Sequence, residues 1–300
     1  MNYSFTVPKG KRIRLIINTD AKNEADDQFA IVHALLTPKF DVKALISAHF
    51  GNRKNDRSME ESFAEINHIL DLMDRKGKHQ VLKGAPKALH DERTPQVSEG
   101  AQFIVTEAMR DDQMPLFVIF LGPLTEMASA LLMEPRIADR LTCIWIGGGA
   151  YPNGAEEFNL SNDIHGANVV FKSRVHLWQA TATVFSTVRV SLAELQYKVK
   201  PCGRIGNYLF QQMVDLNDAM GDRPEWPLGE SWSLGDSPAI ALLLDQHVLC
   251  YDWIPAPIFT PEMRYTHGQN NRPIRVYTRV DTRFLLEDLF CKLALNFPRA

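Results

Sequence analysis

Short apolar segments alternate along this chain with longer segments of helical period. The pattern begins with a predicted strand at residues 12–18 (RIRLIIN), and further strands are predicted at 42–47, 116–121 and 143–146. The last two are near-continuous apolar runs, which are typical of strands buried on both faces of a parallel sheet. The helical period predicts helices at residues 25–36, 58–74, 99–109, 124–133, 192–199, 205–216, 238–244 and 284–295. This alternation predicts a single α/β domain over residues 1–300, with a mostly parallel central sheet flanked by helices in an open Rossmann-type arrangement.

The charge balance is close to neutral, because 33 Lys and Arg residues against 36 Asp and Glu residues give a formal net charge of −3. Such a chain lacks the positive field with which nucleic-acid-binding proteins gather phosphates, so we expect no nucleic-acid partner. The basic and aromatic segment 264–283 has alternating apolar side chains, which predicts an edge strand with solvated arginines instead.

Membrane association and disulfides are also not indicated. No apolar run approaches the roughly 20 residues of a membrane span, and the N-terminal run at 15–17 is too short for the core of a signal peptide. The four cysteines are scattered without a C-x-x-C pair, which favours reduced thiols. We therefore expect a cytoplasmic protein with no membrane partner.

An acidic segment directly follows the first predicted strand. Within eight positions it carries Asp20, Glu24, Asp26 and Asp27, ahead of an apolar helix. Helix capping accounts for one or two carboxylates at such a place, but it does not explain an aspartate at the strand end as well as an adjacent pair at the helix start. Carboxylates concentrated in this way repel one another unless a cation lies between them. The segment is a candidate site for a hard cation, although solvated acidic surfaces have a similar composition.

Four further segments rich in glycine or polar residues follow predicted strands or precede a helix. In open α/β sheets such segments gather at the carboxyl ends of the strands, where ligands bind. The glycine run after residue 146 has neither Walker nor dinucleotide-fingerprint spacing, so it does not indicate phosphate binding. The four segments are FGN at 50–52, LGPLT at 121–125, GGGAYPNGAEEFN at 147–159 and GESWSLGDSP at 229–238.

In this order the five segments resemble the inosine-uridine nucleoside hydrolase family. That family begins with a strand ending in D-x-D-P-G-x-D-D-A and later shows G-N, G-P-L-T-N, a glycine-rich strand end, E-F-N and H-D-P. The counterparts here are NTDAKNEADDQFAI at 18–31, HFGN at 49–52, LGPLTE at 121–126, WIGGGAYPNGAEEFN at 145–159 and LGDSPA at 234–239. The resemblance implies an enzyme that hydrolyses the N-glycosidic bond of a ribonucleoside to give ribose and free base.

The resemblance also implies a Ca²⁺ cofactor and roles for individual residues. The calcium ligands that it implies are the carboxylates of Asp20, Asp27 and Asp236 and the main-chain oxygen of Leu121. Asp20 would also take a proton from the attacking water, and Asn52 would be a second catalytic residue. The residues that would contact the nucleoside are Asp26, through a ribose hydroxyl, and Asn153, Glu157 and Asn159. The likeness further suggests a homo-oligomer, either a dimer or a tetramer.

Two departures from the family pattern affect the predicted pocket wall. Five residues, AKNEA, separate Asp20 from Asp26 where the family usually has three, so we expect the longer loop to reshape the pocket or to add a ligand. Glu126 stands where the family has the asparagine of G-P-L-T-N, and we predict that it caps the helix that begins there.

A third departure concerns the leaving base. Gly235 stands where many members of the family carry a histidine that protonates the base as it leaves. His49, beside the Gly-Asn turn, and His90 are candidate substitutes. Alternatively, Trp232 stacks on the base and favours its departure without a protonating side chain.

Two other functions are compatible with parts of the sequence. Because position 235 is glycine, an alternative hypothesis stays open: a binding protein that holds a nucleoside or sugar in the same pocket with little turnover. An aspartyl-phosphate hydrolase of the haloacid dehalogenase type also has an aspartate after a strand, but it needs a second acid two residues later, where Lys22 stands. The calcium-dependent nucleosidase is the leading hypothesis, and its preferred base is left open.

Overall fold

The computed structural model describes residues 2–51, 56–223, 229–245, 250–269 and 272–297. The strands are β1 Ile13–Thr19, β2 Phe40–Ser47, β3 Val81–Lys83, β4 Leu116–Phe120, β5 Thr142–Ile146, β6 His176–Ala180, β7 Arg189–Ser191, β8 Ser231–Ser233, β9 Tyr251–Pro255, β10 Ile258–Phe259, β11 Tyr265–Thr266 and β12 Pro273–Tyr277. The helices are α1 Asp27–Leu36, α2 Ser58–Leu72, α3 Glu99–Ala108, α4 Thr125–Met133, α5 Phe158–Asn162, α6 Ile164–Lys172, α7 Ala182–Phe185, α8 Leu192–Lys198, α9 Gly203–Ala219, α10 Pro238–Leu244 and α11 Thr282–Asn296. Two short 3₁₀ helices cover Lys9–Lys11 and Pro135–Asp139.

The main sheet has the strand order β3-β2-β1-β4-β5-β6-β12-β9 among the described residues. Strands β3 to β12 in this order are parallel, and β9 runs antiparallel to β12. From β1 the chain runs outward to β2 and β3 and then returns to β4 on the other side of β1. This reversal makes a switch point between β1 and β4, where open α/β sheets form a crevice at the carboxyl ends of the strands. The predicted α/β fold with a mostly parallel sheet is confirmed.

Helices cover both faces of this sheet. In β1, Leu15 and Ile17 pack in the apolar layer that contains α1, α10 and α11, whereas Ile16 packs in the layer that contains α3, α4 and α6. Every residue of β1 is buried, which accounts for its apolar sequence. Close packing on both faces fixes the positions of the strand ends, and therefore of the residues that follow them. As for membranes, the described part of the chain contains no helix with the length and apolarity that a span requires.

The predicted strands and helices are present, most of them with ends shifted by one to three residues. The helix predicted at 238–244 coincides with α10, and the strand predicted at 12–18 corresponds to β1. Strands β3, β6 and β9 had no clear signal in the sequence. Strand β3 has only three residues, and β6 has the sequence HLWQA, in which polar and apolar residues are mixed.

The prediction of an edge strand within 264–283 is wrong. Strand β12 lies between β6 and β9, and β9 forms the edge. Arg275 of β12 is not solvated as predicted: its guanidinium carbon lies 4.7 Å from the ring centre of Trp178 and 5.1 Å from that of Trp253. The register of strands β6, β12 and β9 explains this stack. Trp178, Arg275 and Trp253 are direct neighbours across the three strands, so their side chains share one face of the sheet.

Candidate active site

A cavity of about 320 Å³ lies beside the switch point, at the carboxyl ends of β1, β4 and β5. This volume is in the range of small-molecule binding sites. Its walls come from the segments that follow these strands and from the segment ahead of α10, as the sequence predicted. The predicted site residues that line it are Asp20, Asp26, Asp27, Leu121, Glu157, Asn159 and Asp236.

The acidic loop between β1 and α1 is anchored to the body of the protein. The side-chain amide of Gln28 in α1 donates to the carbonyl oxygen of Ala21. From α9, the Gln212 side chain donates to the carbonyl oxygen of Ala25 at 3.1 Å. The longer loop is thereby held in a defined conformation, and its residues 23 and 24 line the cavity.

Four aspartates meet at the inner end of the cavity. Asp20, Asp26, Asp27 and Asp236 are 2%, 8%, 2% and 5% exposed. Carboxylate oxygens of the last three lie within 4.8 Å of one another. Burial raises the pKa of all four groups, to about 6 for Asp26 and about 7 for Asp27, and repulsion between the carboxylates adds to the shift for Asp20, Asp27 and Asp236. Groups in such surroundings cannot all be ionised at neutral pH without a compensating positive charge.

The donor atoms of this cluster fit a hard divalent cation. The Oδ2 atom of Asp20 is buried and accepts no hydrogen bond from the residues that the structure describes. Glycine at position 122 makes room for this carboxyl group, because a Cβ atom there would lie 2.8 Å from the Asp20 Cγ atom. The main-chain oxygen of Leu121 accepts one hydrogen bond, from Asn159 Nδ2 at 2.6 Å, and a carbonyl oxygen has a second lone pair. Carboxylate and carbonyl oxygens are the ligands that Ca²⁺ and Mg²⁺ prefer.

Asp26 and Asp27 connect the acidic loop to the segment ahead of α10. The main-chain amides of Gly235 and Asp236 lie beside the Asp26 carboxylate and favour its charged form. The Asp27 carboxyl group accepts a hydrogen bond from the Thr19 hydroxyl and shares another with the Asp236 carboxyl group. The site is therefore assembled from two segments that lie near opposite ends of the sequence.

Glu157 and Asn159 shape the wall after β5. The Glu157 carboxylate accepts hydrogen bonds from the main-chain amides of Gly148 at 2.7 Å and Asn159 at 3.0 Å, and so caps α5. The Asn159 side-chain amide donates to the main-chain oxygens of Leu121 and Ile146 at 2.6 and 2.9 Å. Asn159 thus ties together the ends of β4 and β5, which places both strand ends against the cavity.

Two predicted site residues do not line the cavity, and a third, Asn52, lies outside the described residues. Asn153 is exposed, and its carbonyl oxygen accepts a hydrogen bond from the Tyr265 amide at 3.0 Å, which holds this turn against β11. Trp232 is 1% exposed and packs in the hydrophobic core, because β8 pairs with β7. The structure does not support stacking of the Trp232 ring on a base.

The two histidines considered as proton donors are also elsewhere. His49 is buried, its Nε2 atom lies 2.9 Å from the Thr125 hydroxyl oxygen, and it lines a separate cavity. Burial lowers the pKa of His49 to about 4. The His90 side chain is 92% exposed and lies beside Asp91. Gly235 does line the acidic cavity.

The sequence reasoning missed two aromatic side chains of the cavity. Phe158 and Phe185 line it, and both are half-buried. Phe185 ends α7, directly after β6, and because β6 was not predicted, no signal pointed to the segment that follows it. Phe158 lies within the E-F-N segment, whose polar residues alone were considered.

All the residues that line the cavity belong to a part of the chain that is similar to known proteins. A family model described as inosine-uridine preferring nucleoside hydrolase matches residues 15–287. The chain belongs to this family. The pyrimidine-specific ribonucleoside hydrolase RihA of Salmonella arizonae is 27% identical over 238 residues, which cover 71% of this chain and 72% of the relative. The inosine-uridine preferring nucleoside hydrolase of Leishmania major is 24% identical over 201 residues, which cover 63% of this chain and 62% of the relative.

Solved structures of nucleoside hydrolases share the fold. The plant nucleoside hydrolase PpNRh1 is similar with a TM-score of 0.76 and 18% identity, over 94% of this chain and 98% of that one. A purine-preferring ribonucleoside hydrolase from Gardnerella vaginalis is similar with a TM-score of 0.76 and 19% identity, over 94% and 99%. As a member of the nucleoside hydrolase family, the chain is a hydrolase that acts on N-glycosyl compounds.

Glu126 does not cap its helix as predicted. Its side chain is fully buried and accepts hydrogen bonds from the Ala85 amide at 2.6 Å and from Asn18 Nδ2 at 2.9 Å. Burial raises its pKa to about 7. Asn18 stands where the family motif begins with aspartate, and Glu126 stands where it has asparagine. In this nucleoside hydrolase the amide and the carboxyl group of the pair have therefore changed places.

Removal of the Glu126 carboxyl group is expected to destabilise the protein. Glu126→Ala leaves the Ala85 amide and the Asn18 side chain without their acceptor, so we expect the free energy of unfolding to fall by about 3 kcal/mol. Glu126→Gln keeps one acceptor oxygen and no charge, and its free energy of unfolding should fall by less than half as much. Urea denaturation of both variants measures the difference. Equal losses would show that the hydrogen bonds are not responsible.

The aspartate cluster also predicts how stability depends on pH in metal-free protein. The pKa values of Asp26 and Asp27 rise from 3.8 in the absence of burial to about 6 and about 7 in the folded chain. Between pH 4 and pH 7 the folded state holds protons that the unfolded state releases. The stabilisation that these protons give to the folded state is therefore complete below about pH 4 and is lost as the pH rises through 7. We expect the melting temperature of chelator-treated protein to fall by several degrees from pH 5 to pH 8. Added Ca²⁺ should raise it more at pH 8 than at pH 5, and an equal rise at both pH values would contradict this account.

Proposed function

We propose that this protein is a calcium-dependent ribonucleoside hydrolase that cleaves the N-glycosidic bond to give ribose and free base. The observation that carries the proposal is the convergence of four buried aspartates at one end of a cavity of about 320 Å³, where one oxygen of Asp20 has no hydrogen-bond partner among the described residues. Family membership supports hydrolysis of nucleosides. The oxygen-only donor set and the absence of cysteine from the described lining favour calcium over zinc.

The proposed cation ligands are the carboxylates of Asp20, Asp27 and Asp236 and the main-chain oxygen of Leu121. When bound there, Ca²⁺ would supply positive charge that lowers the pKa of water at the site and that attracts the ribose hydroxyl oxygens. Asp26 lines the cavity beside main-chain amides that favour its charged form, so its carboxylate would accept a hydrogen bond from a ribose hydroxyl. Glu157 and Asn159 would keep the sugar in place from the opposite wall.

In the proposed reaction Asp20 is the general base. Its carboxyl group is buried, lies beside the cluster and has an oxygen that is not engaged with the described residues, so it can take the proton of the attacking water. The transition state carries positive charge on the sugar, and the carboxylates of Asp26 and Glu157 would stabilise that charge from the cavity wall. Asn52 remains a proposed catalytic residue.

Gly235 favours a second candidate, a nucleoside-binding protein with little turnover, because the wall lacks a side chain at the position of the family's proton donor. One experiment separates the two functions. The protein is incubated with inosine, guanosine, adenosine, uridine and cytidine, and released reducing sugar is measured with Ca²⁺ and with chelator. The hydrolase releases sugar only with Ca²⁺. Binding of a nucleoside without any release of sugar would overturn the proposed hydrolase and support the binding protein.

We further propose a homo-oligomer, a dimer or a tetramer, and a cytoplasmic location. The oligomer rests on the family resemblance. Two exposed aromatic side chains are compatible with it: Phe5 is 56% exposed and Trp253, on the edge strand β9, is 57% exposed. Light scattering coupled to size-exclusion chromatography measures the mass, and a value equal to one chain of 34.0 kDa would reject the oligomer.

A further inference from the structure

The acidic cavity has an unusual balance of charge. Besides its four aspartates, it is lined by Glu24, Glu156 and Glu157, so that seven carboxyl groups face one small volume. Among the described residues, no lysine, arginine or histidine lines it. If all seven groups are ionised, a divalent cation offsets only two of their charges, so the described lining stays negative with its metal in place.

Two of these carboxyl groups lie nearer to solvent than the four aspartates. The four aspartates are buried, whereas Glu156 is exposed and Glu24 is half-buried. Phe158 and Phe185 also line the cavity and are half-buried. If the sugar occupies the inner end, beside the aspartates, the base must occupy the outer part. There it would meet two carboxylates and two aromatic rings, which are groups that attract a cation.

Apart from carboxyl groups, no described side chain of the same wall could protonate a leaving base. Position 235 is glycine, and the two histidines considered for this role do not line the cavity. A Cβ atom at position 235 would lie 3.1 Å from Asp26 Oδ2 and 3.6 Å from the Phe185 ring, so a side chain added there would begin in tight contact with the Asp26 carboxylate. A neutral base that leaves without a proton becomes an anion, which the surrounding carboxylates would destabilise.

We propose that the preferred substrates are ribosides whose base carries a positive charge at or conjugated with the glycosidic nitrogen, such as N-ribosylpyridinium compounds and N7-alkylated purine ribosides. This inference rests on the proposed hydrolase function. As the water oxygen bonds to C1′, the C1′–N bond breaks and its electron pair moves to the ring nitrogen, where it cancels the positive charge. The base leaves neutral and needs no proton. The proton of the water passes to Asp20 and then to solvent.

The test compares N-ribosylnicotinamide, which is a cation, with inosine and uridine, which are neutral. For each, kcat/KM with Ca²⁺ is divided by the spontaneous hydrolysis rate, to remove the difference in intrinsic reactivity. We expect the cation to have a ratio at least 10-fold above either neutral nucleoside, and its kcat/KM to fall as salt is raised while that of inosine changes little. A higher ratio for inosine or uridine would overturn the inference and leave the hydrolase function intact, whereas no hydrolysis of any riboside would overturn the hydrolase function.

Variants test whether the two outer carboxylates are responsible. Glu24→Gln and Glu156→Gln should each lower the ratio of kcat/KM for the cation to kcat/KM for inosine by about 3-fold to 10-fold. Glu262→Gln, an exposed glutamate that does not line the cavity, is the matched control and should leave that ratio unchanged. Inhibition gives a second readout: the N-methylnicotinamide cation should inhibit at least 5-fold better than neutral nicotinamide, and less so in the two variants. Equal inhibition by both compounds would contradict the proposed charge recognition.

Discussion

Asp27→Ala is expected to abolish metal binding and turnover together. Asp27 is 2% exposed, and its oxygens lie within 4.8 Å of those of Asp26 and Asp236, so its removal takes a proposed ligand from the centre of the cluster. We expect calcium affinity to fall at least 100-fold and sugar release to fall at least 1,000-fold, values of the order seen when a ligand or a catalytic group is removed. Calorimetric titration with Ca²⁺ and the reducing-sugar assay measure the two losses.

The controls for this variant separate loss of the metal from loss of the fold. Without metal, removal of one of several mutually repelling carboxylates relieves repulsion, so metal-free Asp27→Ala should melt no more than a few degrees below the metal-free parent. Asp218→Ala changes an exposed aspartate far from the cavity lining and should keep both calcium affinity and turnover. Calcium affinity of the Asp27→Ala protein equal to that of the parent would show that the cluster is not the metal site.

Asp20→Asn is expected to reduce turnover much more than substrate affinity. The amide keeps an oxygen at the same place beside Gly122 but cannot accept a proton from water. Loss of a general base typically lowers kcat by about 100-fold to 10,000-fold, and we expect a fall in that range with KM changed by less than about 5-fold. Initial rates over a range of nucleoside concentrations, at saturating Ca²⁺, give both constants.

The metal content of Asp20→Asn must be measured with the kinetics, because Asp20 is also a proposed calcium ligand. Calcium bound at full stoichiometry with a low kcat would identify the lost function as proton transfer. A kcat equal to that of the parent would contradict the role of Asp20 as the base. If kcat is restored only by a large excess of Ca²⁺, Asp20 acts as a ligand and another group takes the proton.

The inner part of the site could be predicted from the sequence because local patterns determine it. A strand buried on both faces has a continuous apolar run, so the ends of β1, β4 and β5 are visible in the sequence. Parallel strands place their carboxyl ends at one edge, so Asp20 and Leu121 had to lie close together once the strand order was known. The ordered motifs added Asp236, which no local pattern connects with β1.

The outer part of the site could not be predicted because it is determined by contacts between residues that are far apart in the sequence. Trp232 is buried by the pairing of β8 with β7, and nothing around it in the sequence indicates that partner. Asn153 is turned toward Tyr265, which lies more than a hundred residues later. Arg275 was predicted to be solvated, but its position between two tryptophans depends on the registry of three strands. The predicted residues that directly follow a strand therefore line the cavity, whereas those in a turn or short strand that depends on a distant contact do not.

The Asp26 carboxylate lies beside the main-chain amides of Gly235 and Asp236, and this contact joins the first crossover of the chain to its last quarter. An ion held by Asp27 and Asp236 would strengthen that junction in the manner of a covalent cross-link, but a reversible one. Unfolding would then have to release the ion before either segment could separate, so the lifetime of the native state would follow the free calcium concentration. A fragment that ends before Gly235 could not form this junction, so proteolytic removal of the chain from residue 235 onward should release calcium.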